Sequence, residues 1–187
     1  MITQVKDFIS TILDSVRLTT FVTGKVPGTW KSGAPFYFHG TPLELNIILG
    51  NIPQGQDKFP AVFLLEPFSE IENNDRMENV GNTATLSIMF LSDWSGKEEW
   101  STDEHYTNII NDMDALKREF IKELNKNKYV GDITYTTTRH ARWGLFLANK
   151  GNKNPVFDEE LSGVELNITI PIEKLIDGCD LFDEYNF

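Results

Sequence analysis

Basic residues, cysteine and long apolar runs are all scarce in this sequence. Seventeen Lys and Arg stand against 28 Asp and Glu, a formal net charge of −11. Proteins grip duplex DNA with Lys and Arg that displace its counterions, so a chain this acidic is a poor candidate for reading a groove or clamping phosphates. The acidity itself fits a well-solvated surface or, in a ring, a lumen along which DNA slides. The single cysteine, Cys179, excludes an internal disulfide and suits synthesis in a reducing cytosol. No apolar run approaches the length of a membrane-spanning helix, so no membrane partner is expected. The opening MITQVKDFISTILDSV lacks the charged start, apolar block and small-residue cleavage site of a signal peptide.

The motifs of catalysis are missing as well. His39, His105 and His140 are not spaced i, i+4, and no Cys–His spacing suits a metal. Gly24–Gly28 (GKVPG) lacks the Lys-Ser/Thr ending of a phosphate loop, and no Gly-x-Ser-x-Gly elbow occurs. Asn73–Asn74–Asp75 lacks the remaining ligands of a calcium loop. Asp112 and Asp114 read as the solvent side of a helix, and His105 as a solvated residue of a first helical turn. Trp30, Trp94, Trp100 and Trp143 have no basic stripe beside them, which favours core packing or a protein interface over base stacking. Neither cofactor nor metal is expected.

What is present is alternation and amphipathicity. The clearest element is Gly163–Ile172 (GVELNITIPI). Val164, Leu166, Ile168, Ile170 and Ile172 point one way, and Glu165, Asn167 and Thr169 the other. That period of two marks a strand with one face on a core and the other towards water or a partner. Residues 2–17 carry Ile2, Val5, Ile9, Ile12, Leu13 and Val16 at helical spacing. Ser101–Asn125 is a longer amphipathic helix, opened by the Ser101/Glu104 capping-box spacing. Phe36–His39, Phe59–Glu66, Thr83–Leu91, Ile133–Arg139 and Trp143–Ala148 read as strands. Phe59–Glu66 is apolar on both sides, as expected of a covered central strand, and Pro67 is expected to end it. Leu43–Leu49 is compatible with a strand or with a helix begun by Pro42. Glu70–Asn82 and Asn149–Ser162 read as polar connections.

These elements predict one α+β domain over residues 1–187: an antiparallel or mixed β-sheet with two amphipathic helices packed on one face. A Gly/Pro-rich segment, 19–35, and a C-terminal tail, 173–187, extend it.

The N-terminal helix, Phe59–Pro60–Ala61–Val62 leading to Glu66–Pro67, strand Thr83–Leu91 and the long helix with Phe120–Ile121 near its end make up a pattern. It is completed by Leu161–Ser162–Gly163–Val164 running into Leu166, Ile168 and Ile170. Over most of the chain this pattern resembles the tail terminator (tail completion) proteins of tailed bacteriophages and their relatives in phage necks. The resemblance implies a non-enzymatic virion protein, made in the host bacterial cytoplasm, that forms a homo-oligomeric ring, usually a hexamer. The ring caps the tail tube and joins it to the head connector or portal complex, and genomic DNA passes through without sequence-specific binding. Segment 19–35 and the long tail depart from the compact family pattern. By the same analogy the subunit interfaces would include the loop with Glu72, Asn73, Asn74, Asp75 and Arg76, and the tail residues Leu181, Phe182, Tyr185 and Phe187. A neck or adaptor ring of a short-tailed phage is the nearest alternative. A non-viral monomeric binding module, or a small enzyme built around Glu66, Asp93 and His105, are readings of other classes.

Overall fold

The computed structural model describes residues 2–16, 35–51, 59–72, 82–93, 100–128, 130–143, 145–147, 153–155 and 161–172. In chain order these form α1 (Ile2–Ser15), β1 (Phe36–Gly40), α2 (Pro42–Asn51), β2 (Ala61–Glu72) and β3 (Asn82–Asp93). Then come α3 (Thr102–His105), a π-helical turn (Tyr106–Ile110), α4 (Asn111–Lys126), β4 (Thr134–Trp143), β5 (Leu145–Leu147), β6 (Lys153–Pro155) and β7 (Leu161–Ile172). Five strands make one sheet in the order β1-β2-β3-β7-β4, and β5 and β6 form a separate antiparallel ribbon. Among the described strands of this sheet, β1 and β2 are the parallel pair and the others run antiparallel. The fold is therefore α+β with a mixed sheet, as the sequence pattern predicts.

One face of the sheet carries the main core. Val62 and Leu64, then Ala84, Leu86, Ile88 and Phe90, then Val164, Leu166, Ile168 and Ile170, all turn towards α1 and α4. From α1 they meet Val5, Phe8, Ile9, Ile12 and Leu13, and from α4 Met113, Leu116, Phe120, Ile121 and Leu124. The Phe90 and Phe120 rings sit 5.7 Å apart. Each such side chain removed from water contributes about 1.5–3 kcal/mol, so this face holds most of the stabilising burial. The capping box forms as expected: Ser101 N–H donates to Glu104 Oε2 at 2.7 Å and Glu104 N–H to Ser101 Oγ at 3.3 Å.

Five local expectations need correction. The connection Asn149–Ser162 contains β6 and the first two residues of β7. Pro67 does not end its strand. Leu65 pairs with Ser87 and Ser69 with Thr85, so β2 advances four residues while β3 advances two. Pro67 lies in that bulge, where no ladder donor is required, and β2 resumes to Glu72. Glu70–Glu72 is consequently strand rather than loop. Trp143 closes β4 opposite Leu161 instead of opening the next strand. Finally, a third helix, α2, covers part of the opposite face: Leu45 and Leu49 pack on Ala61, Phe63, Met89, Leu91 and Leu161.

The ambiguity at Leu43–Leu49 resolves to a helix for a reason present in the sequence. Thr41-Pro42-Leu43-Glu44 has capping-box spacing with Pro at the first helical position. Thr41 N–H donates to Glu44 Oε2 at 2.7 Å and Glu44 N–H to Thr41 Oγ1 at 3.4 Å. Gly40 precedes it with φ +146°, a backbone conformation that strains any residue with a Cβ and favours glycine at this corner.

Candidate interaction surface

On the face opposite α1 and α4, the part of the sheet that no described helix covers is a polar surface laid out in rows by strand register. Thr85, Thr169 and Thr134 form one row, Ser87, Asn167 and Thr136 the next, and Glu165 and Thr138 a third, which runs into Met89 buried under α2. Residues directly opposite one another share a face, so the alternation that buries Leu166 and Ile168 presents Glu165, Asn167 and Thr169 here. Thr85, Thr134, Thr136, Thr138 and Asn167 are exposed.

Glu165 is the hub of this surface. Its Oε2 accepts from His140 Nε2 at 2.9 Å, and its Oε1 accepts from Ser87 Oγ and from Asn167 Nδ2, both at 3.1 Å. Burial pushes the Glu165 carboxyl pKa up, but the hydrogen bonds from His140, Asn167 and Ser87 outweigh it and hold the group below its ordinary value. The carboxylate is thus ionised, and His140 presents an Nε2–H to it. Ser87, Glu165 and His140 do not form a catalytic triad, because the carboxylate sits between serine and histidine. Ser87 donates to an acidic carboxylate, and no base is placed to take its proton.

A second Ser–His pair lies on the helix side. His105 Nδ1 is 2.9 Å from Ser162 Oγ, and that hydroxyl donates to the Ala141 carbonyl. The hydroxyl proton is therefore committed, so Nδ1 is the donor to Oγ, the reverse of general-base polarity. His105 is fully buried, contrary to its reading as a solvated residue. Burial and the nearby Arg142 charge lower its pKa below 6.5, with Glu104 opposing. It acts as a pin between α3, β4 and β7. Its Trp100 neighbour stacks edge-on at 5.6 Å, and the Trp100 carbonyl accepts from Arg142 Nη2 at 2.8 Å.

Asp114 is likewise buried rather than solvent-facing. Lys117 Nζ lies 2.7 Å from Asp114 Oδ1, Arg139 Nη2 lies 3.2 Å from the same oxygen, and Lys117 also donates to Thr137 Oγ1 at 3.1 Å. Burial raises the Asp114 pKa, but the bonds and charges of Lys117 and Arg139 more than offset this and lower it. The cluster ties α4 to β4 on the helix side of the sheet.

The trio Glu66, Asp93 and His105 does not converge. Glu66 bonds His39 Nδ1 at 2.9 Å on the helix side. Asp93 belongs to the opposite face, at the end of β3 facing Leu161. From Ser87, level with the end of the Leu65 pairing, to Asp93 the strand spans about 20 Å. Among the described residues no group of three His, Cys, Asp or Glu could hold a metal ion. No described helix is long and apolar enough to cross a membrane.

Of the interface residues expected by analogy, Glu72 closes β2 opposite Asn82. Asn73, Asn74, Asp75, Arg76, Leu181, Phe182, Tyr185 and Phe187 lie outside the described residues, as do Trp30 and Trp94. Sequence reading missed the Thr rows and the Glu165 hub. The alternation of β7 was visible, but which strands flank it was not.

β4 is one of the two sheet margins. It pairs with β7 along one side and with no other strand among the described residues. Thr134, Tyr135, Thr136, Thr138 and Arg139 are exposed, with Tyr135 half exposed on the helix side. β4 contains neither proline nor lysine, two residues that commonly guard an edge. Scanning the chain against protein-family models gives no match, and a search of the curated proteins gives none either.

Proposed function

We propose that this chain is a ring-forming structural subunit of a phage virion, a tail terminator that caps the tail tube and joins it to the head connector. The observation that best supports the reading is the division of the sheet. One face is covered by α1 and α4, while the other, partly covered by α2, offers hydroxyl rows around the Glu165 carboxylate and runs to the ten-residue strand β4, a sheet margin among the described residues. Such a surface has strand hydrogen bonds and side-chain hydroxyls to offer a protein neighbour and little positive charge to offer DNA. The long capped helix and the closing strand, Leu161–Ile172, are among the elements on which the family resemblance rests. Repeated head-to-tail contacts between copies close into a ring when the rotation per subunit allows it.

Light scattering on the purified protein, with negative-stain images of the same sample, tests this. The expected result is a mass several times 21.4 kDa and rings with a central hole. A chain that stays at 21.4 kDa at high concentration, and that also fails to join phage tail-tube or connector proteins in a reconstitution, would sink the proposal.

A further inference from the structure

We infer that the segment Trp100–His105 is an acid-released latch on the end of the sheet where β4 finishes and β7 begins, hinged at the π-helical turn and let go when His105 takes up a proton. The device is independent of the ring-forming reading.

The attachment is concentrated on one side chain. Ser101, Thr102, Asp103 and Glu104 are all exposed, and the one residue that α3 buries is His105. Its Nδ1 donates to Ser162 Oγ of β7 at 2.9 Å, and the Ser162 hydroxyl donates in turn to the Ala141 carbonyl of β4. A single imidazole thus joins the helix to two strands. Trp100 packs at the margin of the main core and lies edge-on to the same ring, with its carbonyl held by Arg142 of β4.

The hinge follows directly. Tyr106–Ile110 is a π-helical turn, which interrupts the α-helical ladder between α3 and α4. On its far side Ile109 and Ile110 are buried in the main core with Met113 and Leu116. α4 is thereby anchored without α3. A four-residue helix such as α3 is too short to hold itself once its contact with the sheet is lost.

Proton uptake is opposed in the closed state and easy in the open one. Nδ1 already carries a proton, so a second enters at Nε2 and makes a cation inside the protein. Burial opposes that charge, and Arg142 repels it. His105 also stands in the first turn of the helical run that continues to Lys126, where the dipole is positive. Glu104 favours the charge, but it is exposed and already accepts from the Ser101 N–H. Asp103 is exposed as well, and Leu161–Val164 of β7 bring no charged side chain. Of the other β4 charges, Arg139 is held by Asp114 and His140 by Glu165. The attachment is therefore at full strength above the ordinary value of 6.5 and weakens as the pH falls through the lower value of the closed state. Across that window the opening equilibrium rises about tenfold per pH unit, the slope for one proton.

The test uses the full chain. The imidazoles of His105, His39 and His140 are titrated by NMR. Amide hydrogen exchange, corrected for its intrinsic rate, is followed from about pH 7.5 to about 5.5, the range in which histidine changes charge. The amides to watch are Glu104, His105 and Tyr106, which in the closed state donate to Ser101, Thr102 and Asp103. The expected result is a His105 pKa below 6.5 and a loss of protection at these amides that begins near that pH and spares Phe120 and Leu166. His105→Asn keeps a donor for Ser162 and has nothing to titrate, so it should abolish the pH dependence. Arg142→Gln keeps a donor for the Trp100 carbonyl and removes the charge, so it should raise the His105 pKa and narrow the window. A His105 that titrates at or above 6.5 overturns the inference. So does protection that is unchanged across the range, that falls equally in His105→Asn, or that is lost from α4 and β7 at the same pH. If His105→Asn does not fold, the wild-type titration and Arg142→Gln decide the question in the same terms.

Discussion

The two faces of the five-stranded sheet are built from alternate residues of the same strands, yet they differ in almost every physical respect. On the helix side, Leu166 and Ile168 are buried with Phe90 and Phe120, and buried polar residues there such as Asp114, Lys117 and His105 each make a side-chain hydrogen bond. On the other side, Glu165, Asn167 and Thr169 sit beside threonines of β3 and β4 and exchange hydrogen bonds within reach of solvent. The difference teaches that stability and recognition are separated by a single residue step. A substitution on one face acts on folding. One residue along, it acts on what the surface can bind.

That contrast can be broken from its strong end first. Phe120→Ala removes a fully buried ring that packs on Phe90 and leaves a cavity between α4 and the sheet. It is expected to cost about 3–5 kcal/mol in urea unfolding. An effect near zero would mean that α4 is not the main cover of the sheet.

Asp114→Asn comes next. It leaves the buried Lys117 ammonium, and the Arg139 guanidinium, without their shared carboxylate. A loss of about 2 kcal/mol is expected at neutral pH, the scale of hydrogen bonds to charged groups near the rim of a core. The sign with pH follows from the lowered pKa. The stabilisation is fully present above the ordinary value of 3.8 and is lost as the pH falls through the lower folded value. Wild type and variant should therefore converge in strong acid. Denaturation midpoints measured across that range would show it.

Glu165→Gln tests the open face. It removes the charge that His140, Ser87 and Asn167 address, and is expected to cost about 1 kcal/mol. Because the Glu165 carboxyl is held below 4.5, its contribution too is present above that value and fades as the pH drops below it. The variant should show a shallower loss of stability in acid than wild type.

The smallest effect on folding is expected from Thr136→Val, an exposed position opposite Asn167. Its unfolding free energy should stay within about 0.5 kcal/mol of wild type. A large destabilisation would show that the Thr rows are part of the core rather than a free surface.

Much of this was legible in the residues because it is local. The period of two in β7 and the stripe and capping box of the long helix each follow from side-chain geometry over a few residues. The Thr41–Glu44 box that makes α2 a helix was equally local and was overlooked beside the apolar run it precedes. Pro67 misled because a proline's effect on a strand depends on whether its missing N–H faces a partner, and the bulge opposite Thr85–Ser87 removes that need. Asp114 and His105 misled for a related reason. Each lies on a helix among polar neighbours, and only the approach of β4 and β7 turns that side inward.

The sequence by itself determined the class of fold, the positions of most elements, the sidedness of each strand and the absence of the familiar catalytic motifs. These depend on periodicity and on residue chemistry read along the chain. Only the tertiary structure decided that β7 lies between β3 and β4, that Glu165 gathers His140, Ser87 and Asn167, and that β4 is a margin of the sheet among the described residues. Those outcomes depend on which strands pair across scores of intervening residues. Pairing is chosen by the summed burial of a whole face, which no local window of the sequence contains.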